Sequence, residues 1–352
     1  MATPWMLPRH ASRVAIGSRF GRRIAAGSAT TLSISSNMLR SPDFLPRLNP
    51  VRWSSHSPFD ASAEKPRKKV TINMLRNLYK KGEPITMLTA HDFPSALVAD
   101  RAGMDMILVG DSLAMVALGM EDTNEVTLDD MILHCRSVAR AAKSAFTVGD
   151  LPMGSHELSP QQALESSIRM VKEGRMQSVK IEGGTETAPT IKTITTAGIP
   201  VVAHIGLTPQ RQHALGGFRV QGKTVSGAVK LLEDAYAVQE AGAFMVVLEA
   251  MPAEVAAVIT KKLQIPTIGI GAGKGCSGQV LVQIDMLGTL PPGRHLPKFV
   301  KKYGNIWDVA FRGIEQYKNE VKAGEFPSEE HTYPISPEEL AGFEKAVNEQ
   351  GR

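Results

Sequence analysis

From Lys68 onward, short apolar runs alternate with longer stretches in which apolar residues recur at helical spacing. The runs cover 85–90, 106–110, 146–150, 179–182, 201–205, 244–248, 267–271 and 279–284. Most are rich in Val and Ile and do not alternate apolar with polar positions, as expected of parallel strands buried on both faces. Between them, Ser159 and Pro160 provide an N-cap and a first-turn proline for a helix that Gly174 closes. A second helix is predicted over 226–242, where Val229, Leu232, Ala235, Tyr236 and Val238 supply apolar positions, and a third opens at Pro252 and ends near Leu263. Eight strands separated by helices predict an α/β fold of the (β/α)8, or TIM, barrel type rather than an open doubly wound sheet. A helix over 71–81 precedes the first strand, and an extension follows Gly324.

Charge changes the picture at the N-terminus. Residues 1–56 hold eight arginines, no lysine and a single acid, Asp43, a net +7 that leaves the rest of the chain at −2. An Arg-rich, Ser-rich, acid-poor leader reads as an organelle transit peptide, and 13–23 can form a basic amphipathic helix. A secretory signal would need a continuous apolar stretch, which is missing. The expected organisation is a mitochondrial transit segment over 1–56, a catalytic barrel over 67–325 and a C-terminal helical extension over 326–352. The pI of about 9.1 therefore belongs to the leader. With 5% aromatics and no basic helix or zinc motif, a nucleic-acid partner is not expected. No run approaches the roughly 18 apolar residues that span a bilayer, so no membrane partner is expected either. Cys135 and Cys276 are too few for a disulfide framework or a four-ligand zinc site.

The chemistry lies at the strand ends. The second strand runs into Asp111 and Ser112, the third ends in Asp150, and the fourth carries Lys180 and Glu182. His204 sits on the fifth and Glu249 ends the sixth. In a (β/α)8 barrel these ends form the active-site mouth, so five successive strands aim ionisable groups into one cavity. Buried carboxylates are costly unless paired or bound to a cation, and one Lys and one His cannot neutralise four of them. A hard divalent ion resolves the imbalance, and Mg²⁺ suits few carboxylates, several waters and a chelating substrate.

The motifs at 109–113 (VGDSL), 149–152 (GDLP), 179–184 (VKIEGG), 204–210 (HIGLTPQ), 247–249 (VLE) and 268–273 (IGIGAG) resemble the ketopantoate hydroxymethyltransferase family. So do 216–222 (GGFRVQG), 296–299 (LPKF) and 327–331 (PSEEH), and the match runs in order from about Val70 to about Tyr333. The resemblance implies a barrel of the phosphoenolpyruvate/pyruvate type. It also implies transfer of a hydroxymethyl group from 5,10-methylenetetrahydrofolate to 3-methyl-2-oxobutanoate, giving 2-dehydropantoate, with Mg²⁺. It marks Asp111, Asp150 and Glu182 as metal ligands, direct or through water. Asp111, Ser112, Asp150, Lys180 and His204 become the substrate-binding set, with Ser112, Asp150 and Lys180 contacting the 2-oxo acid and His204 orienting or hydrogen-bonding; Glu249 becomes the proton acceptor. A large homo-oligomer is implied as well. The chain departs from the family pattern at His91, Phe93 and Met153, changes expected to alter pocket packing rather than charge.

Other readings weigh less. The Gly-rich stretch 269–275 fits neither G-x-G-x-x-G nor G-x-x-x-x-G-K-[ST], so tight strand–loop packing is the expectation. Cys135, inside a helical pattern, is expected to be a small core residue, and Cys276 has no partner motif. The alternative function is a Mg²⁺-dependent C–C lyase acting on a 2-oxo acid in the same barrel family. Against it, the catalytic cysteine loop on which lyase relatives rely is missing.

Overall fold

The computed structural model describes residues 67–351. The transit-peptide reading of 1–56 lies outside them. Eight parallel strands close on themselves in sequence order: β1 (Ile85–Thr89), β2 (Met106–Val109), β3 (Phe146–Asp150), β4 (Ser178–Glu182), β5 (Val201–Gly206), β6 (Met245–Glu249), β7 (Thr267–Ile270) and β8 (Gly278–Leu281). Closure pairs Ile85 with Gly278 and Leu88 with Leu281.

The absence of polar alternation in the strands now has a concrete cause. Met106 and Leu108 point into an inner cluster with Phe146, Val148, Val202, Met245, Val247, Ile268 and Val280. Their neighbours Ile107 and Val109 join an outer cluster with Val179, Ile181, Ala203, Ile205, Val246 and Leu248, against the helices. Both faces of each strand are therefore dry. The helix Ile72–Lys81 adds Leu75 and Leu78 to the inner cluster; Thr71 caps its start by accepting from the Met74 N–H, and Gly82 ends it at φ 70°.

Element ends differ from expectation by one to three residues, each for a local reason. The predicted 279–284 strand stops at Leu281, because the chain turns at Val282 into a short helix, Gln283–Leu287. There the Gln283 N–H donates to Thr89 Oγ1 at 3.0 Å and its side-chain amide to the Ser95 carbonyl at 3.1 Å. The Ser159-capped helix spans Pro160–Lys172, with Glu173 rather than Gly174 ending it. The Gly-rich loop is a packing device. A Cβ on Gly273 would lie 2.4 Å from Ala253 Cβ, and one on Gly275 2.7 Å from Ala257 Cβ. Cys135 is buried in the outer cluster, as expected. The helices Ile306–Ala323 and Pro337–Glu349 bury no residue, and the first exposes Val309, Phe311, Ile314, Tyr317 and Val321. No helix among the described residues is long and apolar enough to cross a membrane.

Candidate active site

The barrel brings the predicted residues together at the C-terminal ends of β2 to β6. Asp111 stands two residues beyond β2, and its backbone N–H donates to Asp150 Oδ2 at 3.1 Å. Asp150 and Glu182 are the last residues of β3 and β4. Strand register sets Glu182 beside His204, and Gly206 beside Glu249. Lys180 lies between the carboxylates: its Nζ is 2.8 Å from Asp150 Oδ1 and 3.5 Å from Glu182 Oε1. The same ammonium lies 3.3 Å from His204 Nδ1, while His204 Nε2 is 3.2 Å from Glu249 Oε2. His204 Nδ1 also lies 3.4 Å from Glu182 Oε1, so it can accept from the ammonium or, when it carries the proton, face the carboxylate. Asp111, Asp150, Lys180, Glu182 and His204 are buried, Glu249 is partly so, and Ser112 is half-buried at the start of the turn Leu113–Val116.

Four carboxylates share this space with one ammonium and one imidazole. Burial pushes the Asp150 carboxyl well above the ordinary carboxylate range; Lys180 opposes the shift, and Asp111 and Glu182 reinforce it. Burial likewise raises Glu182, against the pull of Lys180 and His204. For Lys180, burial is the largest influence and lowers the pKa, but the summed attraction of Asp150, Glu182 and Asp111 outweighs it and holds the ammonium protonated. The pocket is short of positive charge. Asp150 Oδ1 and Glu182 Oε1 are buried without an aligned hydrogen-bond donor. Among the described residues no group of three or more His, Cys, Asp or Glu side chains is placed to hold a metal ion by itself. The site offers a few carboxylate oxygens and leaves other positions around a cation to substrate and water. That donor set fits Mg²⁺, which keeps several waters and uses one or two carboxylates.

Ala250, directly after Glu249, has φ 47°, a rare conformation for a residue with a Cβ. It is pinned by its own N–H donating to the Ile270 carbonyl at 2.9 Å and by the Gln221 N–H donating to its carbonyl at 2.9 Å.

One residue of the site had no assigned role. Gln210, in the 3-10 turn Pro209–Arg211, is buried, and its amide donates to Asp111 Oδ2 at 2.8 Å and to the Leu151 carbonyl at 2.9 Å. Its backbone N–H donates to Glu182 Oε2 at 3.1 Å. One residue thus ties the strand-two and strand-four carboxylates to fixed positions. The available signal was a polar residue at the end of the HIGLTPQ motif, beyond a strand of the mouth. Gln210→Leu strips two buried acceptors of their donor and is expected to cost about 1–3 kcal/mol, read as a lower urea midpoint with an unchanged m-value.

A cavity of about 860 Å³ opens above these groups, lined by Ser112, Asp111, Asp150, Lys180, Glu182, His204 and Glu249 at its floor. The expectation that His91, Phe93 and Met153 shape the pocket is corrected, since none of them lines it. The His91 ring lies 3.7 Å from Asp92, Phe93 packs on the outer cluster, and Met153 is exposed.

Residues 69–329 match the sequence model of the family described as ketopantoate hydroxymethyltransferase. A protein of Emericella nidulans named 3-methyl-2-oxobutanoate hydroxymethyltransferase is 74% identical over 299 residues, covering 85% of this chain and 86% of that one. A protein of Oryza sativa subsp. japonica named 3-methyl-2-oxobutanoate hydroxymethyltransferase 1, mitochondrial, is 50% identical over 289 residues, 81% of this chain and 79% of that one. Among solved structures, phosphonopyruvate hydrolase in complex with oxalate and Mg²⁺ superposes with a TM-score of 0.50 at 15% identity, over 80% of this chain and 98% of that one, a likeness of fold.

Proposed function

Because the chain belongs to the ketopantoate hydroxymethyltransferase family, we propose that it transfers a hydroxymethyl group from 5,10-methylenetetrahydrofolate to 3-methyl-2-oxobutanoate, giving 2-dehydropantoate for pantothenate synthesis. The observation that carries the residue assignment is the unbroken line of contacts Asp150–Lys180–His204–Glu249 on the cavity floor. Asp111, Asp150 and Glu182 would hold Mg²⁺, some of them through water. When bound, the ion supplies Lewis-acid polarisation of the keto oxygen and so acidifies the neighbouring C–H.

The protein's own groups do the rest. The Lys180 ammonium, held protonated by its carboxylate neighbours, stabilises the negative charge that develops on the substrate's keto oxygen. Ser112 and Asp150 position the oxo acid beside it. Glu249, whose Oε2 lies 3.2 Å from His204 Nε2, takes the proton from C3. The C3 carbon of the resulting enolate then bonds to the one-carbon unit. The two carbon–nitrogen bonds to the donor break, one water furnishes the hydroxyl group, and its other hydrogen and the proton taken from C3 end on the two folate nitrogens as tetrahydrofolate leaves. Lys180 needs no covalent bond to substrate for any of these steps.

The organisation proposed with this activity is a leader over 1–56 directing the chain to mitochondria, a barrel over 67–325 and an extension over 326–352. The leader's net +7 supports the address. The exposed apolar side chains of Ile306–Ala323 support a large homo-oligomer in which they are covered. The deciding experiment mixes the purified protein with 3-methyl-2-oxobutanoate, methylenetetrahydrofolate and Mg²⁺. Mass spectrometry should show 2-dehydropantoate only when all three are present, and no product in the complete mixture would sink the assignment.

A further inference from the structure

Two motifs, 216–222 and 296–299, carry no role in the chemistry above, yet both supply the wall of the cavity over the carboxylate floor. The first contributes Phe218, Arg219 and Val220, and the second Leu296, Lys298 and Phe299. In each, an aromatic residue and a cationic one are consecutive in the chain. We propose that these two loops are the subsite of the one-carbon donor, with Phe218 and Phe299 taking its flat heteroaromatic part and Arg219 and Lys298 the carboxylates of its glutamyl tail. The proposal rests on the reading of methylenetetrahydrofolate as donor.

Size is the first argument. Small-molecule pockets run to roughly 300–1,000 Å³, and about 860 Å³ is far more than a small branched oxo acid fills. Anchoring is the second. The Gln221 N–H donates to the carbonyl of Ala250, so the first loop is fastened beside the proposed base, Glu249. Gly216, Gly217 and Gly222, at φ 69°, 102° and 73°, make the turns that bring it there. On the second loop Phe299 is seated on Gly271, where a Cβ would lie 2.6 Å from its ring. Both loops are therefore tied to the rim and not free to drift.

Charge is the third argument. Arg294, also in the wall, is already paired with Asp285 at 3.0 Å. Arg219 and Lys298 make no ion pair among the described residues, and both are exposed. Phe218 leaves 55% of its surface in water, an unfavourable position for a ring with nothing to cover it. The floor carries four carboxylates and repels a donor's tail, while the rim attracts it. The field thus orders an anionic aromatic donor ring inward and tail outward.

The test compares wild type with Arg219→Gln/Lys298→Gln, using donors bearing one or several glutamyl residues, at low and high salt. Wild type should show a KM for the donor that falls as glutamyl residues are added and rises with salt. In the double variant both dependences should flatten, with KM for the polyglutamyl donor raised about tenfold, the sum of two exposed charge contacts. Phe218→Ala should instead raise KM for the monoglutamyl donor. Exchange of the C3 hydrogen of 3-methyl-2-oxobutanoate into D₂O, which involves no donor, serves as the check on folding and on the floor. A double variant that keeps wild-type sensitivity to tail length and salt overturns the subsite. A wild-type enzyme that exchanges C3 hydrogen but never turns over the folate removes the donor reading, and the subsite with it.

Discussion

Glu249→Gln is expected to bind 3-methyl-2-oxobutanoate as well as the wild type and to turn over about 10²–10⁴-fold more slowly, the usual loss on removing a general base. Glutamine keeps the shape and retains an oxygen to face His204 Nε2 at the present 3.2 Å, but it cannot accept the C3 proton. Three features single Glu249 out among the four carboxylates. It is partly exposed to the cavity where the others are buried. It stands across His204 from Lys180, on the far side from Asp150. The strained Ala250 backbone after it is pinned on both sides, which fixes where strand six ends. Deuterium exchange at C3 without folate isolates the proton-removal step. If the variant exchanges at the wild-type rate, the base is another group, with His204 next in line.

Asp150→Asn should cost about 10²–10³-fold in turnover and weaken Mg²⁺ binding, measured calorimetrically in the presence of the oxo acid. Asparagine is the informative replacement because it can still accept from the Asp111 N–H through its carbonyl oxygen, which Asp150 Oδ2 does at 3.1 Å. Alanine would do more than remove a ligand. It would leave the buried Lys180 without its 2.8 Å partner, and an uncompensated buried charge costs about 3–5 kcal/mol in a site where Glu182, at 3.5 Å, is the remaining ion-pair partner. Loss of folding and loss of chemistry would then be hard to separate. Full activity of the asparagine variant in excess EDTA would rule out the proposed metal site.

Much of this was legible in the chain because parallel strands buried on both faces leave a strong trace. The run 146–150 matches β3 residue for residue, and the other strands depart by one residue at most ends. Prediction slipped where an apolar run continued through a change of element, as at Val282, since hydrophobicity cannot mark the point where strand gives way to helix. Asp111, Asp150, Lys180, Glu182, His204 and Glu249 could be named because a barrel converts position at a strand end into position in space. Gln210, Phe218 and Arg219 could not. They sit in a stretch of turns, Pro209–Arg211 and Gln212–Leu215 with the glycines after it, whose path depends on contacts with Glu182, Asp111 and Ala250 that no local periodicity encodes. His91 and Phe93 misled for the opposite reason: near a strand end in sequence, neither lines the cavity, and Phe93 packs on the outer cluster.

The pairing of β1 with β8 joins residues nearly two hundred positions apart, Ile85 with Gly278. Until the last of these strands is synthesised, the sheet has two open edges and no closed interior. Contacts that distant must absorb a large loop-closure cost before they reward it, so the barrel is intrinsically slow to complete. For a nascent chain that slowness means that everything upstream of Gly278 waits for its closing partner. It also carries a hazard, because a partly made barrel is a sheet edge looking for a partner, and premature termination before Leu281 yields an aggregation-prone fragment rather than a smaller enzyme.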